Sequence, residues 1–425
     1  VLEIAQRLEE EGYEAWCVGG AVRDAILGHP HLDWDLATSA TPERVRELFG
    51  KRRTIPVGIE FGTVGVLDRH GTLHEVTTFR RDIRTDGRHA EVEFGASLEE
   101  DLARRDFTIN AIAYSPSRDE IRDPFGGRED IRRRLLRAVG EPDERLREDR
   151  LRALRAIRFA ARFRFDIDPA TFAAIERSAP HLGMLSAERV KQELEKTMEQ
   201  VARPAGAMAL WKRSGALATL IPALSDLDDR TIAALDCLAL PEPERKPYRR
   251  LTRLAMLFID LGENDARAAM TALRFSRSDI NRVSGLASAW RAMGARMAAA
   301  GASETRVRDA EVRRWIAAIG RLDIAPFMRI ASARWAAHRD AGGLSPSARQ
   351  VRSVYRRMLA AALRDPLEIR DLAIDGDDLR GAGIPPGPVV GKILEALLDA
   401  VLEDPGRNTP DWLLQEAKRL HPALL

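Results

Sequence analysis

The 425 residues carry 67 Lys and Arg against 65 Asp and Glu, a formal net charge of +2, with 45% hydrophobic and 31% charged residues. That is room for two to four domains with a sizeable core, and it excludes both a disordered chain and one whose overall positive field would gather nucleic acid. No apolar run is long enough to span a bilayer. Cys17 and Cys237 are too few for a disulfide framework or a zinc site, and both read as buried, reduced thiols, as in a cytoplasmic protein. The start, Val1-Leu2-Glu3, shows no basic-then-apolar signal pattern, and the absent initiator Met implies residues upstream.

Strand and helix signals mix over the first 125 or so residues. Tyr13 to Val18 predicts a strand ending in Gly19-Gly20, followed by a short helix to Leu27. Asp33 to Ala37 predicts a second strand. Thr41-Pro42 is an N-cap with proline at the first helical position, opening a helix to Phe49. Gly62 to Leu67 and Leu73 to Phe79 flank Asp68-Arg69-His70-Gly71 as a hairpin. Ser97-Leu98-Glu99-Glu100 is a capping box. Pro124-Phe125-Gly126-Gly127 closes the region as a turn cluster.

Beyond this point the pattern is helical. Asp143 to Phe163 predicts one helix with Leu146, Leu151, Leu154, Ile157 and Ala161 on one face. Ser186 to Met198 predicts another, and from Ala202 onward nearly every segment reads as helix. The resulting division is 1–140 (α/β head), 141–200 (helical neck), 201–340 (helical body) and 341–425 (helical tail). Basic charge is nearly all arginine. Eight arginines fall between Arg145 and Arg164 against Glu148 and Asp149, and arginine is the better fork for phosphate.

Three clusters carry chemistry. In the first, Gly19-Gly20-Ala21-Val22-Arg23-Asp24 precedes Asp33-Trp34-Asp35. Residues two apart on a strand share a face, so Asp33 and Asp35 bring two carboxylates to one point, a hard-oxygen site suited to Mg²⁺. The diglycine before a helix lets backbone amides approach a phosphate, with Arg23 reaching the same group. The second is Arg104-Arg105-Asp106-Phe107-Thr108-Ile109-Asn110, where Asp106 also reads as a helix cap. The third is Glu148-Asp149-Arg150-Leu151-Arg152 with Arg155 and Arg158. By itself it also fits an exposed ion-pair ladder. A carboxylate beside a guanidinium, Asp149 with Arg152, accepts one proton and donates the next. That pattern fits the amino and ring-nitrogen edges of cytosine and adenine and repels uracil and guanine.

These motifs resemble the nucleotidyltransferase superfamily that includes DNA polymerase β. More closely they resemble the class II branch of bacterial tRNA CCA-adding enzymes and poly(A) polymerases. The resemblance covers about the first 200 residues. It implies a catalytic head with a polymerase β-like mixed sheet, followed by an all-α neck that reads the base, a body and a tRNA-binding tail (341–425), with CTP, ATP and tRNA as partners; no protein partner is implied. It further implies metal ligation by Asp33 and Asp35. Nucleotide contacts then fall to Gly19, Gly20, Arg23, Arg105, Asp106, Asn110, Arg155 and Arg158, and base reading to Asp149 and Arg152. Phe79 to His89 resembles the flexible loop of full CCA-adding enzymes, with Ala90 and Thr85 departing from the usual residues. Glu75 reads either as an exposed strand glutamate or as a third metal carboxylate. Ser186 to Glu193 matches the last family motif, with Arg189 and Glu193 bracing the neck. Ile374 to Pro388 resembles a tail segment, either a tRNA contact or a turn between packed helices. The lack of any His-Asp dipeptide argues against a fused phosphohydrolase.

Poly(A) polymerase is the rival reading. Pro56 to Val64 and the Gly/Pro-rich C-terminal segment favour CCA addition. A catalytically silent RNA-binding relative would have lost a metal aspartate, and both are present.

Overall fold

Ala15-Trp16-Cys17-Val18 is buried along its whole length, which a strand achieves inside a sheet covered on both faces. The computed structural model describes residues 1–29, 34–85, 90–238 and 246–424. The chain forms two compact units, Val1–Ser225 and Asp226–Leu425.

The first unit opens with Leu2–Glu10 (α1), Ala15–Val18 (β1), Gly20–Ile26 (α2), Asp35–Thr38 (β2), Pro42–Phe49 (α3), Thr54–Gly58 (β3), Thr63–Leu67 (β4) and Leu73–Thr78 (β5). Then follow Arg80–Thr85 (β6), Ala90–Phe94 (β7), Leu98–Ala103 (α4), Ala113–Ser115 (β8), Glu120–Arg122 (β9) and Gly127–Arg133 (α5). The main sheet has the order β3-β4-β5-β2-β1-β8-β9. It is mixed, because β2 and β5 run parallel while β1 pairs antiparallel with β2 and β8.

The predicted hairpin forms as β4 and β5, with Asp68 accepting bonds from the His70 and Thr72 amides. Thr41 caps α3 and Ser97 with Glu100 forms a full capping box on α4. Leu98 and Leu102 of α4 then pack on Trp16, Val18, Ala37 and Phe79, covering one face of the sheet. The segment read as a flexible loop folds in part as a separate hairpin of β6 and β7, while residues 86–89 lie outside the described ones. Cys17 is buried, its thiol pushed up to about 12 by that burial. Cys237, expected to be buried, is exposed. It ends a short turn in which its neighbours Leu235 and Leu238 take the interior positions instead.

Helices follow as Pro142–Glu148 (α6), Leu151–Phe163 (α7), Pro169–Ser178 (α8), Ala187–Gln200 (α9), Ala205–Arg213 (α10) and Ala216–Leu220 (α11). The single helix expected over 143–163 is therefore two. Asp149 is extended at φ −145°, ψ 103°, and its carboxylate accepts the Leu151 amide, so it closes α6 and starts α7.

The second unit is helical among its described residues: Asp229–Ala234 (α12), Lys246–Phe258 (α13), Glu263–Ala272 (α14), Arg277–Ala302 (α15), Asp309–Ile319 (α16) and Ile324–Asp340 (α17). Ala348–Arg364 (α18), Gly376–Gly381 (α19), Pro388–Glu403 (α20) and Pro410–Leu424 (α21) complete it. Around Ile374 to Pro388 the chain turns between packed helices. Asp375 caps α19, and Leu379 and Ile384 are buried with Ile393, Leu397 and Leu413 in a local core. No described helix is long and apolar enough to cross a membrane.

One glycine fixes how α5 meets the preceding segment. A Cβ on Gly127 would lie 2.1 Å from the Thr108 carbonyl oxygen and 2.9 Å from Ile112. Since the obstacle is backbone, Gly127→Ala is expected to cost about 1–3 kcal/mol through overpacking. A melting curve unchanged from wild type would contradict this close approach.

Candidate active site

The diglycine bend follows from β1 having to turn directly into α2. Gly19 sits at φ 74°, ψ −136°, a backbone conformation that side chains disfavour. Arg105 Nη1 stands 3.0 Å from where a Gly19 Cβ would be, and Arg23 Nη2 3.3 Å from the Gly20 equivalent. Asp35 begins β2 opposite Val18, exposed, on the face shared with Ala37. One step before the parallel pair Leu36 and Val76, Glu75 shares that face and is also exposed. Asp33 lies outside the described residues. Asp35, with Glu75 beside it, offers hard, exposed oxygen donors next to the bend, a donor set that fits a Mg²⁺-type cation. Among the described residues, no three His, Cys, Asp or Glu side chains gather closely enough to hold an ion by themselves.

Behind the bend runs a buried polar relay. Arg23 donates from Nε to Asp24 Oδ1 at 2.7 Å and from Nη1 to Asn110 Oδ1 at 2.6 Å. Asn110 Nδ2 donates to Asp106 Oδ1 at 2.8 Å. Arg155 closes the relay with Nε and Nη2 on Asp106 Oδ2 at 3.0 and 2.7 Å. Burial alone would raise the Asp106 pKa. Arg155 and the Asn110 bond outweigh it and hold the carboxyl below its usual range. Arg155 is shifted upward, since the Asp106 charge and bonds overcome the opposing effect of burial. Asp106 bonds the Phe107 amide rather than capping a longer helix, because only a short turn over 108–110 follows.

Phe159 is the apolar centre of this region. The guanidinium carbons of Arg158, Arg23 and Arg155 lie 4.3, 5.2 and 5.2 Å from its ring centre. Phe107 meets it edge-on at 5.9 Å. The expectation that Arg23 and Arg158 contact a triphosphate runs against their burial, at 4% and 3% exposed. Arg23 is spent on Asp24 and Asn110, and Arg158 donates to Glu193 Oε2 at 2.7 Å. Desolvation lowers the pKa of both arginines. Arg105 and Arg155 keep more accessible guanidinium groups.

The base-reading candidates are held by different neighbours. Arg152 bonds Glu148 at 2.7 Å and the carbonyls of Arg145 and Arg104 at 3.0 and 2.8 Å. Asp149 takes both its oxygens to Arg189 Nη2, at 3.0 and 2.9 Å. Arg189 and Glu193 thus brace the neck helices as expected, each through a cross-helix bridge: Arg189 to Asp149 and Glu193 to Arg158. Asp149 sits at the break between α6 and α7, with its carboxylate facing α9. Arg152 anchors on the backbone of the second motif, Arg155 on its aspartate, and Arg105 lies at the first. The three sequence clusters are therefore one constellation.

Asp101 was missed in the sequence. It is 1% exposed and holds Arg104 at 2.8 Å and Arg105 at 3.0 Å. Its spacing of three and four residues from those arginines was the available signal.

Residues 15–137 match the family model described as the poly A polymerase head domain, and residues 164–227 match a probable RNA- and SrmB-binding site of polymerase A. A CCA-adding enzyme of Limosilactobacillus fermentum is 36% identical over 98% of this chain and 96% of its own. One from Geobacillus kaustophilus is 37% identical over 99% and 97%. A crystal structure of the Bacillus stearothermophilus CCA-adding enzyme in complex with CTP superposes with a TM-score of 0.74 at 33% identity, covering 99% and 98% of the two chains. The chain belongs to the class II tRNA nucleotidyltransferase and poly(A) polymerase family. Nucleotidyltransferases of this family use divalent metal ions.

The Arg158–Glu193 bridge gives a test of the neck. Removing either charge leaves the other buried, so Arg158→Met or Glu193→Leu alone is expected to lose about 3–5 kcal/mol, and the double variant to recover most of it. Additive losses in a double-mutant cycle would contradict a paired role.

Proposed function

We propose that this chain adds CCA to the 3′ end of tRNA without a template, taking CMP from CTP and AMP from ATP and releasing pyrophosphate. The observation that carries the reading is near-full-length similarity to curated CCA-adding enzymes, in a chain whose three clusters meet at one place. The tRNA 3′-hydroxyl attacks the α-phosphate in line, and pyrophosphate leaves.

Asp33 and Asp35 are assigned to hold Mg²⁺, and Glu75 is placed to assist. When bound, Mg²⁺ supplies Lewis acidity that favours the attacking alkoxide and the leaving pyrophosphate. Gly19 and Gly20 offer backbone amides to the triphosphate. Arg105 and Arg155 supply charge at its phosphates. Arg23, Asp106 and Asn110 position Arg155, Asp101 holds Arg105, and Arg158 stiffens the helix that carries Arg155.

Asp149 and Arg152 read the base. With Glu148 and two carbonyls fixing Arg152, its Nε–H and one Nη2–H remain for the acceptor edge of cytosine or adenine. Asp149 accepts from the exocyclic amine. Uracil and guanine would set a carbonyl against the carboxylate, a repulsive pairing that supplies the selectivity. The division into head (1–140), neck (141–200), body (201–340) and tail (341–425) follows this assignment of roles. The tRNA pool lies in the cytoplasm, where we place the activity.

Incubation with tRNA lacking its terminal CCA, with each nucleotide in turn, tests the reading. Addition stopping after three nucleotides is expected, and long ATP-only tails would establish poly(A) polymerase instead. Asp35→Ala is expected to abolish incorporation while tRNA binding persists. Robust incorporation by that variant would remove Asp35 from the metal site.

A further inference from the structure

Two tryptophans of the second unit line a cavity of about 410 Å³, together with Asp260, Arg291, Arg334 and His338. That size, and that mixture of aromatic wall and few polar groups, is the usual make-up of a small-molecule site. The Trp290 and Trp335 rings lie 6.4 Å apart at 39°. Trp335 is almost fully buried, and buried Phe327 backs Trp290 at 6.1 Å.

Glycines make room for these side chains. In the middle of α15, where a helix disfavours glycine, a Cβ on Gly294 would stand 2.8 Å from the Trp290 ring. A Cβ on Gly343 would stand 2.0 Å from the His338 ring, and one on Gly262 2.9 Å from Arg291 Nη1. Three separate segments thus give up a side chain so that an indole, an imidazole and a guanidinium can reach one cavity. Ala295 and Ala298 continue the wall beyond Trp290. Interiors are otherwise close-packed, and packing alone would favour larger residues at these positions.

The charges select the occupant. Arg334 lies over the Trp290 ring at 5.0 Å and donates from Nη1 to Asp260 Oδ2 at 2.8 Å. The place for a cation on that indole is therefore taken, and Asp260 is neutralised. His338 Nδ1 is tied to Ser345 Oγ at 2.9 Å. Arg291 is exposed, with no hydrogen bond or ion pair to any described residue, and gives the lining a surplus positive charge. Indoles stack flat rings, including any nucleobase. An open guanidinium fork suits a phosphate. A nucleoside monophosphate carries both groups in one small molecule.

We infer that this cavity is a second nucleotide site, binding a free nucleoside monophosphate with its base against Trp290 and Trp335 and its phosphate on Arg291. It uses none of the residues assigned to nucleotidyl transfer, and the inference does not rest on the CCA-adding reading.

The test labels the full chain with 5-fluorotryptophan and follows the fluorine spectrum during titration with AMP. The seven tryptophans give seven lines, assigned by single replacements such as Trp290→Phe and Trp335→Phe. Trp34, next to Asp35, reports the transfer site in the same spectrum. The Trp290 and Trp335 lines are expected to move and saturate. Adenosine and inorganic phosphate, each lacking half of the ligand, should bind about tenfold or more weakly. Arg291→Gln should weaken AMP by about tenfold or more, as loss of a charge-assisted bond implies, and leave adenosine unchanged. Ala298→Leu, which fills the cavity and alters no charge, should abolish the movement. Trp290 and Trp335 lines that stay still at millimolar AMP would overturn the assignment, whether or not the Trp34 line moves. Equal AMP affinity in Arg291→Gln and wild type would overturn it too. So would a tRNA that moves both lines where AMP does not, since the occupant would then be an unstacked nucleotide of RNA. Because Trp34 is read separately, each of these failures leaves the transfer site untouched.

Discussion

A single carboxylate joins the sheet to the helices that follow it. Asp106 receives Asn110 on one oxygen and both forks of Arg155 on the other. Through Asn110 it reaches Arg23 and the diglycine bend. Burying such a charge is tolerable only because it is paired and fully bonded, and removing one partner strands the rest. The diglycine bend, the second motif and the neck helix therefore hold one geometry or lose it together. The cluster of guanidinium groups around Phe159 tightens the same knot, because each cation there also packs an apolar stem.

Arginine serves three purposes in this chain, and burial tells them apart. Arg23 and Arg158 are interior struts whose charge is consumed by Asp24, Asn110 and Glu193. Arg152 and Arg155 bridge elements and keep part of their surface open. On α18, Arg357 turns inward to Asp309, while the exposed Arg349, Arg352, Arg356 and Arg364 have no side-chain partner among the described residues. A near-zero net charge thus conceals a local surplus on one helix. Overall composition bore no trace of it, because acids elsewhere balance the sum.

Local features were legible from the residues. The hairpin around Asp68, the Thr41 and Ser97 caps and the diglycine turn are each decided by neighbours a few residues apart, and each forms as read. What escaped depends on distant partners. Arg23 finds Asn110 across 87 residues, Arg155 finds Asp106 across 49, and Arg189 finds Asp149 across 40. The break between α6 and α7 escaped for a related reason. Asp149 has a continuous apolar periodicity on both sides, and only its bonds to Arg189 and the Leu151 amide pull it out of helix. Periodicity reports which face is buried, not which charge a buried charge will choose.

The most direct measurement is equilibrium binding of CTP and UTP by Asp106→Asn. That change keeps the side-chain shape while removing the charge that holds Arg155. If the relay sets the nucleotide site, CTP affinity falls by about tenfold or more, as the loss of a charge-assisted bond implies, and the preference for CTP over UTP narrows. Unchanged CTP affinity and unchanged preference in a folded Asp106→Asn chain would contradict the account.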